Sequence, residues 1–472
     1  AEERSIRPPL LMFQSRLLMT TAFVLADVAG YRPLPLRIYI QCTTSFDGSE
    51  AVVGLTFGYR NIKRRPRGSR TERHVSSTRT QMLIIRQGIR NKITVIRMLK
   101  SFAVENYRGF KDRVEMDLSK VGKYRFHSEY IQDGLIGKCM IIGHNGCGKT
   151  NFGLALFDIV SVLTDFQTDD RQKDSFGFLN GDSELLYATF TYVFADGDGD
   201  IVYEYRKSSP DIIIYERMEV GGRLIFERSG DEADYSGLAY ANASDLRIDI
   251  RDGPLSVLRF IASNTDQPEG SPVSKVVDFV KGMLYVRSVQ DGNTYIGLTR
   301  GSEPIQDYIV RNGYTEDFNN VLREMADLDV ELAVLKAEGA PERLVIRTWH
   351  KLLSFDRSAS SGTKLLMLHY YWIKHLGDVT FLYMDEFDAY YHFELAEKVM
   401  RRLLREKGLQ CIFTSQNTLL VSNGILRPDC YLYLDSRGMS SLAELTDGEI
   451  REGHNLGKLL RGGEFDRSIR MS

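Results

Sequence analysis

With 472 residues, 43% hydrophobic and 26% charged, the chain has an ordinary soluble composition, with material for roughly two to four domains and for buried cores. Its five cysteines, at 42, 139, 147, 411 and 430, show neither metal-ligand spacing nor a dense disulfide framework, which fits a reducing cytosol, and no apolar run approaches the ~20 residues of a membrane helix. The net charge of −2 hides an asymmetry: residues 1–97 carry 17 Lys plus Arg against 6 Asp plus Glu (+11), which leaves 61 − 17 = 44 against 63 − 6 = 57 (−13) for the rest.

Residues 1–97 are rich in Arg and poor in acids, with no helical or strand period sustained beyond a few residues. Three readings stay open for this basic extension. Lys63, Arg64, Arg65, Arg67 and Arg70 form a cluster suited to nucleic-acid phosphates, with few interleaved aromatic residues for base stacking. Arg-rich, acid-poor composition is also that of a targeting segment, and Leu17 to Gly30, preceded by Arg4, Arg7 and Arg16, has the outline of a signal peptide interrupted by Asp27. In the third reading the native start is Met98 and the upstream residues are an over-extended reading frame.

From Met98 the pattern is strand-like: MLKSFAVEN, then Asn106, Tyr107, Arg108, Gly109 and Phe110, then alternating Val114, Met116 and Leu118. The next feature, Cys139 to Asn151, reads CMIIGHNGCGKTN. Gly143, four intervening residues, then Gly148, Lys149 and Thr150 satisfy the phosphate-loop spacing. An apolar run precedes the loop, and Phe152, Ala155, Leu156, Ile159, Val160 and Leu163 follow at helical spacing, so the context is strand, loop, helix. That order suits a phosphate: backbone N–H groups from Gly143, His144, Asn145, Gly146, Cys147 and Gly148 turn inward and the helix N-terminus adds its dipole. Lys149 then reaches the outer phosphates, the Thr150 hydroxyl is a Mg²⁺ ligand, and Asn151 closes the loop. Cys147 is either a small residue that fits or a thiol whose oxidation would obstruct the phosphates.

Beyond a polar stretch at 165–183, Leu186 to Phe194, Ile201 to Arg206, Ile212 to Val220 and Arg223 to Arg228 read as an antiparallel meander joined by Asp-Gly and Gly-Gly turns. Asp196, Asp198 and Asp200 lack the Gly and closing Glu of a calcium loop and read as a hairpin turn. Residues 229–340, with helices expected at Val273–Met283 and Glu316–Leu335, read as a mostly helical lobe inserted between the halves 98–228 and 341–472. After a strand at Arg343 to Trp349, Ser360, Ser361, Gly362 and Thr363 sit before a helix that is apolar nearly all round, an arrangement that is either a Ser-rich cap or an anion site. Val379 to Met384 form a buried strand ending in Asp385 and Glu386, and Leu409 to Thr414 another, followed by Ser415 and Gln416.

These motifs carry a resemblance. The Asn106–Phe110 run, the phosphate loop, the Ser360–Thr363 signature, the Asp385–Glu386 strand end and Gln416, in this order, resemble the ABC-like AAA-type ATPases of the RecF, SMC and OLD group. The closing segment from Glu449 to Asp466, EIREGHNLGKLLRGGEFD, resembles stand-alone anti-phage ATPases of the RloA, PARIS and abortive-infection type; Asn455 alternatively caps a short helix there. The resemblance implies an α/β P-loop NTPase of ABC-ATPase type, a mixed sheet with an antiparallel β subdomain and a helical inserted lobe. It also implies ATP and Mg²⁺ as cofactors, with Lys149 on the phosphates, Thr150 and Asp385 on the metal and Glu386 activating water. Ser360 and Gly362 would then reach the nucleotide of another subunit of a homodimer or higher homo-oligomer.

In the relatives the Gln416 position is commonly a His that senses the γ-phosphate; Gln donates a hydrogen bond but carries no proton or charge, so slow hydrolysis is expected. His392, in Tyr391-His392-Phe393 where the family has Leu-His-Pro, reads as structural. Only about 55 residues follow Gln416, fewer than the nuclease domain of OLD relatives needs. The expectation is therefore a cytoplasmic ATPase sensor or scaffold controlling a separate effector such as a nuclease, with a RecF-like DNA clamp as the alternative.

Overall fold

The computed structural model describes residues 98–166, 177–288, 295–298, 303–336, 339, 341–446, 448 and 450–465, and the backbone alone of 36–47 and 50–61. The chain divides into two compact units, Ala1–Arg86 and Gln87–Ser472. In the first, β1 (Leu36–Asp47) and β2 (Glu50–Asn61) pair antiparallel from Leu36↔Asn61 to Asp47↔Glu50. This hairpin departs from the expectation of no sustained period; its signal in the sequence is the Gly48-Ser49 pair between two β-rich runs. The cations at 63–70 and the segment 17–30 lie outside the described residues.

The second unit holds two seven-stranded sheets among its described residues. One is antiparallel throughout. β3 (Leu99–Glu105) and β4 (Val114–Asp117) join β8 (Ala188–Phe194), β9 (Ile201–Ser209), β10 (Ile212–Val220), β11 (Arg223–Ser229) and β12 (Glu232–Asp234) in the order β12-β11-β10-β9-β8-β3-β4. A small hairpin, β5 (Ile131–Gln132) and β6 (Leu135–Ile136), leads out of this sheet into β7 (Lys138–Ile142). The four meander strands run consecutively as the alternation predicts, and Gly221 and Gly222 take the positive φ that their tight turn requires.

The central sheet is β14-β13-β18-β19-β7-β20-β21. It is parallel from β13 (Met283–Arg287) through β18 (Phe381–Asp385), β19 (Gln410–Thr414) and β7 to β20 (Tyr431–Asp435), with antiparallel edges β14 (Tyr295–Gly297) and β21 (Gly438–Ser441). β7, β18 and β19 are buried at every residue, which explains why Cys139–Ile142, Phe381–Met384 and Cys411–Phe413 run apolar without a break: strands covered on both faces show no alternation.

Two short helices after the phosphate loop, α1 (Lys149–Leu156) and α2 (Asp158–Leu163), lie between the sheets. Phe152 packs edge-on to Phe102 of the antiparallel sheet, and the Tyr192 hydroxyl donates to the Ala155 and Leu156 carbonyls at the end of α1. On the opposite side Gly153 meets the stacked rings of Tyr285 and Tyr383, where a Cβ would sit 2.6 Å from the Tyr383 ring.

The stretch 229–340 is not confined to a lobe. After α3 (Val257–Asn264) and α4 (Pro272–Lys281), Met283–Arg287 turns into β13 and pairs in parallel with β18 inside the central sheet. Both of its faces are covered, so the strand is apolar from Met283 to Val286 without alternation and carries no period of its own to tell it from helix, although Lys281 and the C-cap Gly282 mark the end of α4. The helix expected at Glu316–Leu335 also divides. α5 (Ile305–Arg311) and α6 (Thr315–Ala326) are followed by Asp327 at φ 53°, a left-handed cap, and then by β15 (Glu331–Leu335). β15 forms a three-stranded antiparallel sheet with β16 (Arg343–Arg347) and β17 (Leu352–Ser354).

A single helical turn, α7 (Phe355–Ser358), then leads to α8 (Ser361–Lys374), whose residues from Leu365 to Trp372 are all buried. α9 (Phe393–Leu404) and α10 (Leu456–Arg461) complete the unit. Among the described residues no helix is long and apolar enough to cross a membrane.

Candidate nucleotide site

The phosphate loop follows β7, and Asp385 and Thr414 end β18 and β19, so these groups meet at the carboxyl ends of parallel strands, where such sheets bind ligands. The loop tolerates little besides its own sequence. Gly148 has φ 103° and caps α1, and a Cβ there would meet the Phe110 ring at 2.7 Å. A Cβ on Gly143 would come within 2.5 Å of the Leu434 carbonyl. Lys149 is buried, and its ammonium donates to the Gly143 and His144 carbonyls at 2.8 and 3.1 Å, which holds the charge at the loop. Cys147 Sγ lies 3.8 Å from the same ammonium. Arg108 reaches Asn151 Oδ1 at 3.5 Å, so the Asn106–Phe110 run packs against the loop at both Phe110 and Arg108.

Asp385 is fully buried and receives three hydroxyls: Thr150 at 2.8 Å and Tyr285 at 3.0 Å on Oδ2, and Thr414 at 2.8 Å on Oδ1. A carboxylate beside the phosphate-loop threonine is a hard oxygen donor set, which fits Mg²⁺. Glu386 adopts φ 48°, a left-handed conformation uncommon outside glycine, and its N–H donates to Thr414 Oγ1 at 2.7 Å. Its side chain accepts from Gln416 Nε2 at 3.0 Å. Deeper, the Ser415 hydroxyl donates to Asp388, whose carboxyl is raised above its ordinary range chiefly by burial.

The structure therefore joins Lys149, Thr150, Asp385, Glu386 and Gln416 within one chain. Ser360 and Gly362 stand apart: among the described residues no hydrogen bond or ion pair ties them to the phosphate loop. Ser360 caps α8 by accepting from Thr363 N at 3.1 Å, and a Cβ on Gly362 would lie 3.0 Å from the Tyr390 carbonyl. His392 is exposed, 3.9 Å from Glu394. Asn455 caps α10 by accepting from Lys458 N at 2.8 Å; the closing segment 449–466 is described except at its two end residues.

Sequence reasoning missed Tyr285, Arg287, Thr414 and His369. Thr414 had a usable signal, a polar residue closing an apolar strand just before Ser415; the others have none. His369, on α8, is buried and bridges Ser288 Oγ (3.2 Å) and Tyr391 OH (2.9 Å), and burial lowers its pKa to about 3. The Ser288 N–H donates to the Asp385 carbonyl, so the helix that starts at Ser361 is bonded to the end of the carboxylate strand.

A phosphate loop on β7, with β19 lying between it and the carboxylate strand and an antiparallel sheet over α1, defines a P-loop ATPase of ABC type. Residues 139–422, 284 of 472, match the family described as "AAA domain, putative AbiEii toxin, Type IV TA system", and the chain belongs to that family. No curated protein matches it.

Among solved structures it is similar to an Smc head bound to the C-terminal winged-helix domain of ScpA (14% identity, TM-score 0.37, covering 73% of this chain and 98% of that one). It is also similar to the SMC head domain from Thermotoga maritima (14%, 0.35, 73% and 98%) and to the recombination mediator RecF with ATP (12%, 0.32, 73% and 99%).

Proposed function

We propose that the chain is an ATP-hydrolysing ATPase whose subunits associate when ATP binds, acting in the cytoplasm as the sensor or scaffold of an anti-phage system that controls a separate effector such as a nuclease. The observation that carries the ATPase reading is the convergence of Thr150, Thr414 and Tyr285 on Asp385, with Glu386 and Gln416 hydrogen-bonded beside it.

The loop N–H groups and Lys149 would bind the phosphates; Thr150 and Asp385 would hold Mg²⁺, which when bound neutralises charge on the phosphate oxygens. Glu386 would orient and deprotonate the attacking water, and Gln416 would hold the Glu386 carboxylate in place. Positioning and electrostatic stabilisation would supply most of the acceleration.

Assembly is supported by the separation of Ser360 and Gly362 from the loop of their own chain, since their small polar surface at a helix start suits an anion brought by another subunit. The family description, which names a toxin and a toxin–antitoxin system, supports the defence role.

The test is Glu386→Gln, which should accumulate an ATP-bound assembly detectable by light scattering after size exclusion. An assembly state that is the same with and without ATP would overturn the association reading. Co-purification of the product of a neighbouring gene would support effector control.

A second reading, a DNA clamp, is favoured by one feature. Arg347 to Ser354 are all exposed, Trp349 at 99%, and the Thr348–Lys351 turn is locked by Thr348 N to Lys351 O (3.0 Å) and Lys351 N to Thr348 Oγ1 (3.1 Å). An aromatic ring beside Arg347 and Lys351 suits base stacking. Salt-dependent quenching of Trp349 fluorescence by an oligonucleotide would support this reading, and quenching absent at low salt would dismiss it.

A further inference from the structure

Arg287 ends β13 directly in register with Asp385 on β18. In a parallel pair such residues face the same side, and Arg287 Nε lies 3.8 Å from Asp385 Oδ2. That distance gives charge attraction without a hydrogen bond. The carboxylate has no need of Arg287 for its hydrogen bonding, because the hydroxyls of Thr150, Tyr285 and Thr414 already serve both oxygens.

Arg287 Nε is shielded from solvent with no hydrogen-bond partner, although the side chain as a whole is 32% exposed. Among the described residues its side chain makes no hydrogen bond at all. A shielded, unpaired guanidinium N–H costs stability wherever nothing receives it. Here it stands beside the residues that the functional reading assigns to metal and phosphate.

The strand order says which phosphate. The loop that cradles the inner phosphates follows β7; β19 comes next, then β18 with Asp385, and β13 with Arg287 lies beyond it. A triphosphate running from the loop towards Asp385 brings its terminal phosphate to the β13 side. Guanidinium offers a planar fork of donors matched to phosphate oxygens and keeps its charge at any working pH.

We infer that Arg287 is a ligand of the terminal phosphate and makes the site distinguish a nucleoside triphosphate from a diphosphate. The inference rests on the ATP-binding reading and adds a residue that the motifs do not name. A residue contacting only the third phosphate contributes to binding of the triphosphate and leaves the diphosphate unaffected.

The experiment is calorimetric titration of the full chain with the non-hydrolysable analogue AMP-PNP, with ADP, and with Mg²⁺ alone, comparing wild type, Arg287→Met and Arg287→Lys, with Lys149→Ala as control. Arg287→Met should weaken AMP-PNP binding at least tenfold and ADP binding less than twofold. Arg287→Lys should recover part of the loss, because it restores the charge without the fork; it also carries the test if the Met variant does not fold.

Equal losses for both nucleotides would overturn the inference. So would unchanged nucleotide affinities with tighter Mg²⁺ binding, the result expected of a mere counter-ion to Asp385. Wild type that binds neither nucleotide would bring down the ATP reading and this inference together, whereas wild-type binding abolished by Lys149→Ala alone would leave the ATP reading standing and sink only this inference.

Discussion

The Thr414 hydroxyl donates to Asp385 Oδ1 at 2.8 Å while accepting from the Glu386 N–H at 2.7 Å, so one side chain fixes both the carboxylate that would hold metal and the backbone of the residue that would activate water. Thr414→Val keeps the shape and removes both bonds. It should cost about 1–3 kcal/mol of unfolding free energy by leaving a buried acceptor unpaired. ATP turnover should fall far more than ATP affinity, and Thr414→Ser should restore both. Denaturant titration with steady-state kinetics of the three proteins would check it.

Gln416 donates to the Glu386 carboxylate at 3.0 Å, a bond that would hold the proposed base but draw on its lone pair. Gln416→His supplies a group able to carry a proton and is expected to raise turnover severalfold with little change in ATP affinity. A turnover number at or below wild type would argue that the amide, as it stands, suits this site.

Lys275 and Asp196 are 3% and 1% exposed and form a bifurcated ion pair, 2.7 Å to each oxygen, tying α4 to the β8–β9 turn. Lys275→Met leaves an uncompensated buried carboxylate and should destabilise by about 3–5 kcal/mol. The double variant Lys275→Met with Asp196→Leu should recover most of that, measured as a double-mutant cycle.

His369, neutral in the fold with a pKa lowered to about 3 by burial, binds a proton in the unfolded chain below its ordinary value of 6.5. Between those values the unfolded state holds more protons, so stability falls as pH falls, by about 2 kcal/mol from this group at pH 5. The loss is absent above pH 7 and levels off below pH 3. His369→Gln can keep one donor and one acceptor in place, and its unfolding free energy should decline less between pH 7.5 and 5.

The elements that order the site were legible in the chain because they are local. Gly143 to Thr150, the apolar strand ending in Asp385 and Glu386, and the buried helix after Ser360 each show their chemistry within about 15 residues. The alternation of the meander strands was equally plain. β13 was hidden because it is covered on both faces and only five residues long, which leaves no alternation to read, although the stop signal Lys281-Gly282 before it was legible.

By itself, then, the sequence determined that a phosphate loop, a buried helix opening at Ser360 and a strand ending in two carboxylates exist in that order, and which side chains they carry. Only the tertiary structure decided their neighbours. Tyr285 and Arg287 reach Asp385 across a gap of about 100 residues, and Thr414 across 29, because parallel strand pairing sets the partners. Register between distant strands is fixed by packing of the whole sheet, which no local pattern encodes. The same pairing put the shielded Nε of a featureless Arg 3.8 Å from Asp385, and turned a lone His into the joint between α8 and the carboxylate strand.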